Sequence, residues 1–338
     1  MNGANPERSK LVVPSYAEMD EATGAMNRAA ASTEHGDPLC CRNEWQLSYF
    51  EAFTPKFTLL FRQRGSSVLA FCDRRFDDGK RVLMPIDSSW SYGAPLLGLD
   101  PVPMLVDLLR EPEMQAEPPC IWISGLTPRG YRQLQLTTNF RQTHSILLVE
   151  SDPKVVQCSA SLVGGYDSYL SRRTGHFRRR LRAAEHAAHG MGVRFERVVP
   201  RNEAEARATF ARMLAVELQS WKGLGNCGME EPRPRSFYER MMVRQARIGA
   251  GRIVFARHED QDIGFIFGGV ANGYYRGQQF SFVDTWRPHS IGNLLQQDSL
   301  RWICEESVFH FGMGPLMDYK KRWTERCEPM ESWLLAPR

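Results

Sequence analysis

The sequence holds no CxxC pair and no CxxC…HxxxH array, so no structural zinc is expected. It has no apolar run near the ~20 residues that cross a bilayer, so no transmembrane segment is expected. The longest apolar stretch, IGFIFGGVANGYY, is short and glycine-rich and reads as a strand and turn. The first residues, MNGANPERSKLVVPSYAEMD, contain no sustained apolar core of a secretory signal, which makes the cytoplasm the expected location. Eight cysteines, Cys40, Cys41, Cys72, Cys120, Cys158, Cys227, Cys304 and Cys327, follow no framework spacing, and reduced, mostly buried thiols are expected. Strong charge of one sign is also missing: 43 Lys and Arg against 39 Asp and Glu leave +4, so any electrostatic function must come from a local cluster.

What is present is an ordinary soluble balance, 42% hydrophobic and 24% charged over 338 residues, which favours two domains or one large one. Residues 1–40 are polar, alanine-rich and expected to form an irregular N-terminal arm. NEWQLSYFEAF carries aromatics at helical spacing. FTLLFRQRG and SSVLAFCDRRF read as a hairpin turning at Arg64-Gly65. Strand-like RVLMPI, CIWISGL and HSILLVE alternate with helical PVPMLVDLLREP and TPRGYRQLQLTTNF, the latter with Thr127 as N-cap and Pro128 at the first helical position. This first half, 41–160, is a mixed α/β layer structure.

The second half, 161–338, opens with an expected helix over 166–190. Tyr166, Leu170, Phe177, Leu181, Ala184 and Ala188 form its apolar stripe, and Arg172, Arg173, Arg178, Arg179, Arg180 and Arg182 its basic face. After the strand VRFERVV, Asn202 and Glu205 make a capping box for the helix NEAEARATFARMLAVELQSWKG. RSFYERMMVRQARIGAG is another helix. RIVFARH, IGFIFGGV and YYRGQQFSFVDT form an antiparallel meander, and DTWRPHSIGNLLQQDSLRWICEE hands its last strand to a helix through a compact polar turn. A helix N-terminus offers unpaired N–H groups and partial positive charge, which suits an anion.

That order, with an anion-ready turn after the central strand, resembles the GNAT acyltransferase fold. In that family the turn cradles the coenzyme A pyrophosphate with the pattern Gln/Arg-x-x-Gly-x-Gly/Ala. Here Arg287-Pro-His-Ser290-Ile-Gly292 aligns, with Ser290 in place of the first glycine. The basic helix, VELQSWKG, HSIGNLL and GMGPLMDYKKRW together look like the FemAB/CelD-like branch, which carries a cellulose-biosynthesis-type acetyltransferase domain. The resemblance covers roughly 160 to 325; over 40 to 155 it rests on the α/β pattern and on the family's habit of pairing two halves. It implies two tandem GNAT-like halves, α/β (α+β) in class, each a mixed, largely antiparallel sheet flanked by helices.

It also implies acetyl-CoA or another acyl-CoA as co-substrate, bound by Arg287, Ser290, Ile291, Gly292 and Asn293, with no metal. Acyl transfer needs a base for the acceptor amine and an acid for the departing thiolate. Asp284, at the strand end, and Glu217, in the acceptor segment, are the candidate bases, and Tyr319 is the candidate acid. His289, beside the turn, is a further proton shuttle. Lys320, with Arg178, Arg179 and Arg182, would hold an anionic acceptor, because arginine matches oxyanions in a bidentate way.

Each residue has a plainer reading. Ser290 is then a helix cap, the arginine face is solvated, and Asp284 caps the helix entry. Glu217 and Lys320 form an ordinary ion pair, Tyr319 is a core aromatic, and Trp221 and Lys222 are structural. The reading adopted is N-acylation, with acetyl as the expected group, of an amine on a sugar, nucleotide-sugar or envelope or exopolysaccharide precursor. Two alternatives stand beside it: a FemAB-type transferase using aminoacyl-tRNA, and a non-catalytic binding protein of an envelope-polysaccharide system.

Overall fold

The computed structural model describes residues 14–33, 36–150, 154–225 and 227–338. Its strands are β1 (Thr58–Arg64), β2 (Ser67–Arg75), β3 (Arg81–Pro85), β4 (Leu96–Leu97), β5 (Cys120–Leu126), β6 (His144–Val149) and β7 (Val156–Ser161). They continue with β8 (Arg194–Val198), β9 (Gly251–His258), β10 (Gln261–Ala271), β11 (Tyr274–Phe282), β12 (His310–Gly314), β13 (Arg326–Pro329) and β14 (Glu331–Pro337). Two seven-stranded sheets result. The first runs β1-β2-β3-β5-β14-β6 with β4 beside β2, and the second β13-β7-β12-β11-β10-β9-β8. The expected class holds: mixed α/β, with mostly antiparallel strands flanked by helices.

Local chemistry explains the turns. Gly65, at φ +57°, closes the hairpin in which Arg64 pairs with Ser67. Asn272 and Gly273, both at positive φ, join β10 to β11, as a two-residue hairpin requires. The chain leaves β11 through the helix Ile291–Glu305 and returns parallel to it as β12.

Four expectations shift. Residues 14–31 are not an irregular arm: they form the helices Pro14–Glu21 and Thr23–Ala31, and Met19 and Met26 are fully buried in the core. Residues 1–13 lie outside the described residues. The single helix over 166–190 is two, Gly165–Ser171 and Gly175–Gly190, because the Thr174 hydroxyl caps the second by accepting from Phe177 N. The helix expected from Thr127 begins at Tyr131, after Arg129 has turned to φ +58°. The halves 41–160 and 161–338 interlock, since β7 belongs to the second sheet and β14 to the first. β14 lies between β5 and β6, with Leu335 opposite both Ile121 and Ile146.

The halves also share a core. Trp45 and Tyr49 of the helix Asn43–Phe53 pack on Phe237 of the helix Pro232–Arg247, which covers the second sheet. A buried ionic knot reinforces the joint. Asp37 accepts from Arg276 Nε (2.7 Å), Tyr274 OH (2.8 Å) and Gln157 Nε2 (2.9 Å), and also from Leu39 N and Cys40 N.

Candidate functional site

β11 and β12 pair in parallel at three positions, ending with Arg276 opposite Gly312, and then part. On its other edge β11 carries a bulge: Gly268 pairs with Gly277 and Phe267 with Gln279, so Gln278 is the extra residue. Both side-chain polar atoms of Gln278 are buried without a partner, as is Nε2 of Gln296 on the following helix. Buried polar groups are normally satisfied, and both Gln278 and Gln296 border one cavity.

The wedge opens into a cavity of about 730 Å³. Gly277 to Phe280 line one side, and Met313 and Pro315 the other. The first half supplies a further wall of Trp45, Trp90 and Tyr92. Asp87 anchors that wall by accepting from Trp45 Nε1 (3.1 Å) and Trp90 N (3.1 Å), and burial raises its carboxyl to about 6.

Among the described residues lining the cavity, Lys222, Arg276, Arg287 and Lys320 are cationic and none is a carboxylate. Lys222 is placed by a break between two helices. Gln219 ends the helix Glu203–Leu218 and the Ser220 hydroxyl caps the turn Trp221–Leu224 by accepting from Lys222 N, so Lys222 folds back over Glu217. Its Nζ donates to Gln279 Oε1 (2.6 Å), Phe280 O (3.1 Å) and Glu217 Oε2 (3.5 Å). Burial lowers its pKa, and the Glu217 carboxylate opposes that shift. Lys320 Nζ donates to Met313 O (2.6 Å) and Pro315 O (2.9 Å). Burial, and then the neighbouring Arg276, lower its pKa to about 7.

The sequence-expected residues separate into groups. Arg287, Tyr319 and Lys320 reach the cavity. The Tyr319 ring meets Phe280 edge-on at 5.0 Å, and burial raises its hydroxyl pKa, which keeps it a proton donor. Glu217 is fully buried behind Lys222, accepting from Met229 N (2.5 Å) and Ser281 Oγ (2.8 Å). Its ion pair is with Lys222, not with Lys320 as the plainer reading had it, because Lys320 sits on backbone carbonyls instead. Lys222, read from the sequence as structural together with Trp221, lines the cavity. Glu217 and Lys222 are five apart, a spacing that faces no helical pair, and only the break at Ser220 joins them.

Asp284 is not among the cavity-lining residues: its carboxylate pairs with Arg287 at 2.8 Å on the turn Asp284–His289. His289 packs its ring on Trp286 at 5.3 Å. Ser290 adopts a left-handed conformation (φ 57°) and caps the next helix with its carbonyl, which accepts from Asn293 N (2.9 Å), rather than with its hydroxyl. Ile291 is fully buried, and Asn293 Oδ1 accepts from Trp323 Nε1 (3.3 Å). A β-carbon at Gly292 would stand 3.0 Å from Phe282 and 3.1 Å from Phe280. Its smallness therefore serves ring packing as well as any ligand. No side chain caps this helix, so the amides of Ile291 and Gly292, ahead of the bonded Asn293 N, are left for solvent or an anion.

Arg178, Arg179 and Arg182 do not line the cavity. Their helix packs against the turn Asp284–His289, and Arg179 and Arg182 are exposed on it. Arg172 and Arg173 are clamped on Glu325 instead. Among the described residues no group of His, Cys, Asp and Glu could hold a metal ion, and no helix is long and apolar enough to cross a membrane.

Residues 171–321, which include the wedge and its lysines, match the family model described as Acetyltransferase (GNAT) domain. This segment is similar to acyltransferase domains of that type. Among solved structures the chain is similar to FemX (11% identity, TM-score 0.66), covering 94% of this chain and 96% of that one. It is also similar to a conserved protein of unknown function from Bacteroides thetaiotaomicron (8% identity, TM-score 0.61), covering 95% and 97%. L-PGS from Bacillus licheniformis is similar too (12% identity, TM-score 0.53), covering 90% and 93%. At these identities the likeness is one of fold. No curated protein matches the chain.

Proposed function

We propose that the protein is an acyl-CoA-dependent N-acyltransferase of the FemAB/CelD-like branch. It acts in the cytoplasm on an amine of a sugar, nucleotide-sugar or envelope or exopolysaccharide precursor, with acetyl as the expected group. The observation that carries this reading is the parting of β11 and β12 beside the bulged Gln278. An opened wedge leaves strand-edge N–H and C=O groups to pair with an extended, amide-bearing ligand. The pantetheine arm of coenzyme A is such a ligand. Its pyrophosphate would lie at the Ser290–Gly292 helix start, with Arg287 alongside and Asp284 orienting that guanidinium. Tyr319 is the donor to the departing thiolate, and Glu217 supports the site through Lys222. The aromatic wall from the first half would shelter the acceptor from water.

A second reading, transfer from aminoacyl-tRNA, is favoured by one observation. Arg178, Arg179, Arg180 and Arg182 make no salt bridge among the described residues, leaving a basic face able to take a phosphate backbone. Thermal denaturation with acetyl-CoA and longer acyl-CoAs separates the two. A ligand of the folded state at a hundred times its dissociation constant adds ~2.7 kcal/mol. Stabilisation by acyl-CoA supports the first reading; none, with salt-dependent binding of tRNA, replaces it by the second.

A further inference from the structure

The cavity presents two buried lysines, and their partners differ in kind. Lys222 gives its three hydrogens to three acceptors, one of them the Glu217 carboxylate, which is the environment of an ammonium. Lys320 meets two neutral carbonyls, Met313 O and Pro315 O, and no carboxylate. A neutral amine has two hydrogens and one lone pair, so these two bonds use its hydrogens and leave the lone pair. The charged and titratable groups facing Lys320 are Arg276 from β11, Lys222 from the turn after Glu217, and Cys158 from β7. The first two are cations, and burial holds the Cys158 thiol in its neutral form. The adjacent Tyr319 ring lies 5.7 Å from Nζ. No carboxylate or histidine lines the cavity among the described residues, which leaves Lys320 as its available proton acceptor.

We infer that Lys320 is the catalytic base of the transfer: its amine takes the proton from the acceptor nitrogen as that nitrogen attacks the thioester. This rests on the acyl-CoA reading above. The C–N bond forms and the C–S bond breaks. The nitrogen's proton passes to Lys320, and the thiolate takes one from Tyr319. The Lys320 ammonium then returns its proton to the tyrosinate through water, so both groups end as they began. Lowered pKa values by desolvation and like charge are how lysine becomes a base near neutrality.

The test has an arm that needs no co-substrate. Competitive labelling of the intact wild-type protein with acetic anhydride across pH 6–10, read by mass spectrometry, should show Lys320 half-reactive near pH 7. Reaction only above about pH 9, as for ordinary lysines, overturns the inference, whatever the fate of any variant. The second arm follows thiol release from acetyl-CoA with water as acceptor. Lys320→Met should lower it by about 10²–10⁴-fold and abolish its rise through neutral pH. Calorimetric affinity for acetyl-CoA should be nearly unchanged. A variant with the wild-type rate and pH profile overturns the base. Wild-type protein that binds no acetyl-CoA overturns the co-substrate reading instead, and the labelling arm still decides the state of Lys320.

Discussion

The two sheets contain the same strand–helix–strand unit with opposite outcomes. In the first, β5, the helix Tyr131–Phe140 and β6 make the unit, and the slot between the strands is filled by β14, paired on both edges. In the second, β11, the helix Ile291–Glu305 and β12 make it, and the slot opens after three pairs. Filling the slot satisfies the backbone and buries Leu335 in a core. Leaving it open exposes strand edges, orphans the Gln278 amide and opens a cavity. One half has become a support that lends Trp45 and Trp90 to the cavity of the other.

The most disruptive change expected is removal of residues 331–338, which empties the slot in the first sheet. β5 and β6 each lose their β14 neighbour, and Leu335 leaves its apolar cluster. Loss of cooperative unfolding, read by near-ultraviolet circular dichroism during heating, is the outcome. A truncated chain with native melting would show that the strand is an accessory and the contrast between halves is superficial.

Asp37→Ala should come next. It strands the Arg276 guanidinium in a buried site beside the wedge. Breaking one side of a buried pair costs about 3–5 kcal/mol, measurable as a shifted denaturation midpoint. A change below about 1 kcal/mol would mean that water replaces the carboxylate and that the halves are not joined there.

Gly292→Val follows. The sequence alone suggests a folded protein that has lost its cofactor, because a glycine at that turn reads as room for pyrophosphate. The rings of Phe280 and Phe282 already occupy the space a side chain would take. Overpacking of about 1–3 kcal/mol is therefore expected together with weaker acyl-CoA binding. Calorimetry and melting on the same sample check it: lost binding at wild-type stability would return the glycine to a ligand role alone.

Legibility divides along physical lines. Elements with strong local signals were readable, such as the hairpin at Gly65 and the capping box, where Asn202 accepts from Glu205 N and Glu205 from Arg201 N. The turn Arg287–Gly292 was readable because a strand-to-helix handover has a composition of its own. The fate of β14 was not, since ESWLL fits an edge of either sheet and only tertiary packing chooses. The helices Pro14–Glu21 and Thr23–Ala31 were missed because an alanine-rich polar stretch gives a weak periodic signal, although Met19 and Met26 are fully buried. In the site, nearness in sequence misled. Asp284 is the acid next to the turn, yet it serves Arg287, whereas the cavity's lysines come from a broken helix end and a 3₁₀ turn.

The smallest effect on stability belongs to the basic helix, and it sharpens the contrast between the open wedge and its surroundings. Arg179 and Arg182 are exposed and unpaired among the described residues, so Arg179→Glu with Arg182→Glu should alter stability by less than about 0.5 kcal/mol. Binding is where the change should appear. If the helix flanks the site as an electrostatic guide, reversing two charges lowers the association rate of an anionic acceptor or of tRNA. The deficit should be largest at low salt and fade as the ionic strength approaches 1 M, where screening acts within about 3 Å. A deficit that persists at high salt would point to direct contacts made by these arginines. Equal rates at every salt concentration would leave the face as a solvated surface and confine recognition to the four cations inside the cavity.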